Sequence, residues 1–171
     1  MELLIGAGKN KDKKITFEKI PKHWTELVTL DIDPGANPDY VHDLEDLPLP
    51  FDDDVFDEVH AYEVLEHTGQ QGDWRFFFNQ FYEIWRILKP DGYLVGSCPY
   101  WSSKWAWGDP GHKRIISPES LTFLSQKEYK AQVGNTSMTD YRDYWDGDFD
   151  LIGMQIDEEA GNFGFVIQAI K

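Results

Sequence analysis

Apolar residues in this chain follow two spacings, and the alternation between them lays out the expected elements. Leu3 to Ile5 reads as a short buried strand, followed by a charged loop from Lys9 to Lys14. Phe17, Ile20 and Trp24 recur at helical spacing, but Pro21 interrupts them, so any helix within Thr16 to Trp24 is expected to be short. Leu27 to Ile32 is rich in β-formers and ends at the turn signal Asp33-Pro34-Gly35; Tyr40 to His42 makes a brief third strand and Phe56 to Tyr62 a fourth. The strongest helix runs from about Asp73 to Leu88. Trp74, Phe77, Phe78, Phe81, Ile84, Trp85 and Leu88 share one wide face, Asp73 suits the N-cap, and Lys89-Pro90-Asp91-Gly92 stops the helix. Tyr93 to Cys98 continues as a strand, and an irregular Trp/Gly-rich stretch fills Pro99 to Ile116. Ser117-Pro118 opens another helix with Leu121 and Leu124 inward. Asp150 to Ile156 and Phe163 to Ile170, joined through Gly161-Asn162, form an antiparallel hairpin.

Strands separated by helices and closed by a hairpin argue for an α/β fold, with a mostly parallel sheet and an antiparallel strand near one edge. No repeat or linker divides the chain, so residues 1–171 are read as one domain. The net charge of -15 disfavours long-range attraction to nucleic acid or an anionic membrane. A lone cysteine, Cys98, and the lack of a signal pattern or membrane-spanning run lead to the expectation of a soluble protein of the cytoplasm.

The chemistry concentrates at two strand ends. Leu3-Leu4-Ile5 runs into Gly6-Ala7-Gly8, where small residues let the backbone approach a ligand, and the next strand ends in Asp31, an acid able to hold ribose hydroxyls. That pairing is the anatomy of a nucleoside-cofactor site; the bland alternative is a tight strand-to-loop turn. Asp33 beside Pro34 reads as a turn residue and Asp52-Asp53-Asp54 as a solvated loop. His42, His60, His67 and His112 lack the paired spacing of a zinc helix and have no cysteine partners, so no metal is expected.

Several stretches in order resemble the class I S-adenosylmethionine-dependent methyltransferases, small members with a Gly-x-Gly-Lys loop in particular. They are Leu4-Ile5-Gly6-Ala7-Gly8-Lys9, Leu30-Asp31-Ile32-Asp33, His42-Asp43-Leu44, Leu47-Pro48-Leu49-Pro50-Phe51, Phe56-Asp57-Glu58-Val59, Val64-Leu65-Glu66-His67 and Arg86 to Leu94. The resemblance implies a Rossmann-like three-layer sandwich whose seven-stranded, mostly parallel sheet ends in a C-terminal antiparallel hairpin. It further implies that S-adenosylmethionine is the cofactor and S-adenosylhomocysteine the product. Gly6, Ala7 and Gly8 would pass under the methionine and ribose, and Asp31 with Ile32 would meet the ribose. Asp43 and Leu44 would meet the adenine, and Ala61 and Tyr62 would line the methionine side. Leu4 and Asn10 depart from the usual acid and third glycine of the first loop.

If the acceptor must lose a proton, His67 and His112 are the candidate catalytic groups, with Glu63 in the same region. Tyr100, Trp101, Trp105 and Trp107 offer an aromatic wall for a planar or sugar-like acceptor. A small molecule or glycan-type metabolite is therefore expected as acceptor, and homo-oligomers are left open. Two rivals come from other classes. A nicotinamide oxidoreductase fits poorly, because Lys11 stands where the third fingerprint glycine would fall. A noncatalytic methyltransferase-fold module or partner subunit accommodates Leu4 and Asn10.

Overall fold

The computed structural model describes residues 1–171. Seven strands form one sheet: β1 (Glu2–Ile5), β2 (Leu27–Asp31), β3 (Tyr40–Val41), β4 (Phe56–Tyr62), β5 (Leu88–Pro99), β6 (Phe149–Asp157) and β7 (Asn162–Ala169). Their order is β3-β2-β1-β4-β5-β7-β6. The first five run parallel; β7 lies antiparallel to β5 and pairs with β6 as the expected hairpin. The chain leaves β1 towards β2 and β3, then returns to the other side of β1 as β4, so the strand order reverses between β1 and β4. Ligands of open α/β sheets bind at such a crevice, outside the strands' carboxyl ends.

One face of the sheet carries the helices α1 (Trp74–Ile87), α3 (Pro118–Thr122) and α4 (Gln126–Gln132) over an apolar core; a further short helix, α2 (Lys104–Gly108), follows β5. Asp73 caps α1, accepting from the Phe76 N–H at 3.1 Å, and Phe78, Phe81, Ile84 and Ile87 turn inward. The chain passes from α1 straight into β5 at Leu88, earlier than the apolar pattern predicts. Leu88 pairs with Phe56, the register then shifts, and Tyr93 pairs with Glu58. Gly92 is needed there, since a Cβ would meet the Lys89 carbonyl at 2.9 Å. Ser117 opens α3 with a reciprocal capping box to Ser120, as expected of Ser-Pro. Trp145, fully buried, stacks between Phe78 and Phe149, and its indole N–H reaches the Leu124 carbonyl at 3.2 Å.

The apolar cluster on the opposite face takes no residue from a helix. The expected short helix within Thr16 to Trp24 does not form; one backbone bond, Ile20 to Phe17, closes a turn, and Pro21 then withholds a donor. The third layer of the sandwich is thus a loop. Ile15, Phe17, Ile20 and Trp24 pack on Leu4, Tyr62, Val95 and Val166. A buried polar row lies beneath it. Lys13 pairs with Glu58 at 2.5 Å, Glu58 with His60 at 2.7 Å, and His60 with the Tyr62 hydroxyl at 2.6 Å, while the Trp24 ring meets His60 edge-on.

Candidate functional site

At the β1/β4 crevice a cleft of about 310 Å³ opens between four strand ends. Gly6, Asp31, Ile32, Asp43 and Leu44 line it, so the structure brings together five of the residues expected to meet a nucleoside. Each also has a local structural task. Gly6 has φ +60°, and a Cβ there would run into the Val64 side chain, so glycine is required with or without a ligand. Gly8 has φ +54° and open space where a Cβ would point. Its N–H donates to Asp31 Oδ2 at 2.8 Å, while Asp31 Oδ1 accepts from the Asp33 N–H at 2.8 Å. A carboxylate has about four lone-pair sites, so both Asp31 oxygens can still accept. Asp43 closes an Asx turn onto the Glu45 N–H at 2.9 Å and still borders the cleft. Ile32 is 63% exposed and offers an apolar edge.

Gly8 itself is not part of the lining, and three further expected residues lie elsewhere. Ala7 is buried against the loop-covered face with Leu4. Ala61 is fully buried in the helix-side core, and Tyr62 points under the loop, its hydroxyl engaged by His60. The positions after them form the wall instead: Glu63, in a left-handed conformation with φ +52°, and Val64. A non-glycine residue at positive φ is strained by about 1–3 kcal/mol and tends to mark a functional turn. Glu2, whose carboxylate accepts from Thr25 and Glu26, anchors a loop rather than a ligand.

The far wall joins the loops after β4 and β5. Glu45 accepts from the Gly69 N–H and from Lys113, both at 2.7 Å, and the Lys113 hydrogen bond holds its carboxyl below the usual range. The N–H groups of Lys113 and Arg114 donate to the Glu66 carbonyl at 2.8 and 3.3 Å. The buried Arg114 guanidinium, lowered to about 10 by that burial, bonds the Leu65 carbonyl, Thr68 and Gln80. This stitching brings together His67 and His112, 45 positions apart, with ring centroids 4.7 Å from each other in a T-shaped pair. His67 borders the cleft, and its Nδ1 meets the Gly111 carbonyl at 3.1 Å. Glu66, beside them, is 2% exposed, and burial pushes its carboxyl up to about 7. Sequence reasoning passed over Glu66, Glu45, Thr68 and Lys113; only the adjacency of Glu66 to His67 signals any of them. Trp101, Trp105 and Trp107 stand largely in solvent, Tyr100 packs on the core, and none of the four lines the cleft.

Residues 13–96, from the loop before β2 into β5, match the family model described as a methyltransferase domain; β1 and its glycine turn precede the matched segment. No curated protein matches the chain. Solved structures do. A chain from the complex between the Haloferax volcanii Trm112 methyltransferase activator and a methyltransferase is 19% identical, with 99% of this chain and 82% of that one covered at a TM-score of 0.60. A SAM-dependent methyltransferase from Archaeoglobus fulgidus is 17% identical, with 98% and 85% covered and a TM-score of 0.58. The N-methyltransferase NodS from Bradyrhizobium japonicum, in complex with S-adenosyl-L-homocysteine, is 14% identical, with 99% and 78% covered and a TM-score of 0.58. At these identities the likeness shows the fold. Family match and strand order together show a Rossmann-like α/β fold similar to that of the class I S-adenosylmethionine-dependent methyltransferases, a class whose cofactor is S-adenosylmethionine.

Proposed function

We propose that this protein transfers a methyl group from S-adenosylmethionine to a small-molecule or glycan-type acceptor. The observation that carries the reading is the convergence of Gly6, Asp31, Ile32, Asp43 and Leu44 on one cleft at the strand-order reversal. The residues fit the cofactor. Asp31 keeps acceptor capacity for two ribose hydroxyls, Ile32 and Leu44 offer apolar contact to adenine, Asp43 suits the adenine amino group, and Gly6 brings the backbone close. Bound there, the cofactor supplies a methyl on a cationic sulfonium.

The chain's own contribution is placement. Holding an acceptor in line and in contact removes much of a bimolecular barrier. With its Nδ1–H given to Gly111, His67 turns Nε2 outward to take a proton from an acceptor hydroxyl or ammonium, and His112 stands beside it. The exposed rings of Trp101, Trp105 and Trp107 on the loop after β5 suit an acceptor with flat or sugar-like faces. The unpaired, buried Cys98 accords with a cytoplasmic setting, and no helix is long and apolar enough to cross a membrane.

Calorimetric titration with S-adenosylhomocysteine tests the reading. Micromolar binding is expected, weakened at least tenfold in Asp31→Asn and Asp43→Ala, with no heat from NAD. A second reading, a methyltransferase fold that binds or catalyses only beside a partner, is supported by the loop that stands in for a helix layer after the glycine turn. The H. volcanii relative was solved with an activator. Absence of S-adenosylhomocysteine binding by the chain alone would select that second reading.

A further inference from the structure

Both carboxylate oxygens of Glu66, Glu63 Oε1 and His112 Nδ1 are buried at the junction of the β4 and β5 loops without a hydrogen bond from any nitrogen or oxygen group of the protein, the Cys98 thiol being the neighbour of Glu66. Buried polar groups almost always find a partner, so four in one place mark a position for an ordered water or an ion. One carboxylate oxygen of Glu66 and one ring nitrogen each of His67 and His112 lie within 4.8 Å of one another.

We propose that Glu66, His67 and His112 form a three-ligand site for a divalent transition-metal ion of the zinc type, with an open coordination position facing the cleft. Two histidines and a carboxylate are the donor set of open, catalytic zinc sites. Hydrogen bonds at the two rings select which nitrogen of each is free to ligate. His67 gives its Nδ1 proton to the Gly111 carbonyl, which leaves Nε2 as the ligand atom. The Asp109 carboxylate lies 3.8 Å from His112 Nε2 and favours the proton there, leaving the buried Nδ1 free. Ligand atoms around zinc sit about 3.3 Å apart. Metal binding therefore requires the three groups to draw together, with His67 the exposed member. Glu63 and Glu66 present two carboxyl groups at the junction, while the Arg114 guanidinium is held by Leu65, Thr68 and Gln80 and Lys113 by Glu45. The Lys113 and Arg114 bonds to the Glu66 carbonyl fix one ligand loop to the other.

The ligand set stands independently of the methyltransferase reading. Its use rests on that reading: a metal at the cleft rim would hold a hydroxyl-bearing acceptor by its oxygen, and His67 and His112 would then serve as ligands in place of proton acceptors.

The test is titration of chelator-stripped full-length protein with Co²⁺, followed by its visible d–d absorption, with S-adenosylhomocysteine binding measured on the same samples. One equivalent of cobalt in a low-symmetry N/O environment is expected, displaceable by Zn²⁺. Affinity should fall at least a hundredfold in His112→Ala and in His67→Ala; the exposed His67 provides a variant that keeps the fold. A spectrum absent from the wild type, or unchanged in both variants, overturns the metal site. S-adenosylhomocysteine binding without a cobalt spectrum removes this inference alone, whereas a cobalt spectrum without S-adenosylhomocysteine binding removes the cofactor reading and leaves the metal site standing.

Discussion

The two faces of the sheet are covered in different ways. On one, α1, α3 and α4 share a cluster of 26 buried apolar residues with the sheet; on the other, the segment from Gly6 to Glu26 shares a cluster of only six and lies over a row of buried polar groups. A helix satisfies its own backbone and need offer the sheet only an apolar stripe. A loop leaves its N–H and C=O groups looking for partners, and the strands beneath must supply them. Here they do: Glu2 accepts from Thr25 and Glu26, Asp31 from Gly8, and the Tyr62 hydroxyl from Ile15, while within the loop the Lys11 carbonyl takes the Trp24 indole proton. The acids and histidine on the inner face of β1 and β4 are therefore what a loop-covered sheet requires.

The contrast predicts different failures. Phe81→Ala on the helix side, where the ring is fully buried, should lower unfolding free energy by about 4 kcal/mol in denaturant titration, a cavity cost. On the loop side Lys13→Ala should cost about 3 kcal/mol, because Glu58 is left buried without its cation; Lys13→Met paired with Glu58→Leu should recover most of that. Equal loss in the single and paired variants would show that the row is packing rather than charge. The smallest effect is a pH slope. Burial, opposed by Glu58, holds His60 below its ordinary 6.5. The unfolded chain then binds the extra proton first, so stability is full above 6.5 and declines as pH falls towards the folded value. Glu58 adds to the loss at lower pH. Burial raises its carboxyl, but the His60 and Lys13 bonds outweigh that and hold it below 4.5. His60→Phe should flatten the upper part of the slope, whereas variants in the helix-side core should leave its shape alone.

The same contrast explains what the sequence reveals. β4 runs from Phe56 to Tyr62 in the pattern as in the structure, and α1 differs by one residue at each end, because both carry periodic apolar positions and clear stops. α4 escaped notice: it buries only Tyr129, although Ser125 with Glu128 three positions on carries the sequence sign of a helix start. The Thr16 to Trp24 segment shows a helical spacing that proline defeats. Strand alternation from Glu58 through His60 already puts Tyr62 under the loop, a count that separates it from the cleft. The meeting of Glu66 with His112 is illegible, since it depends on backbone bonds between loops 46 residues apart.

Asp31 holds the Gly8 N–H on one oxygen and the Asp33 N–H on the other. The consequence is kinetic. A turn already fixed in shape presents the remaining lone pairs of Asp31 in place, so a nucleoside arriving at the proposed site need not wait for disorder to resolve. Its association rate should then follow diffusion and the local charge, and differences in affinity among nucleosides should lie in how long each one stays.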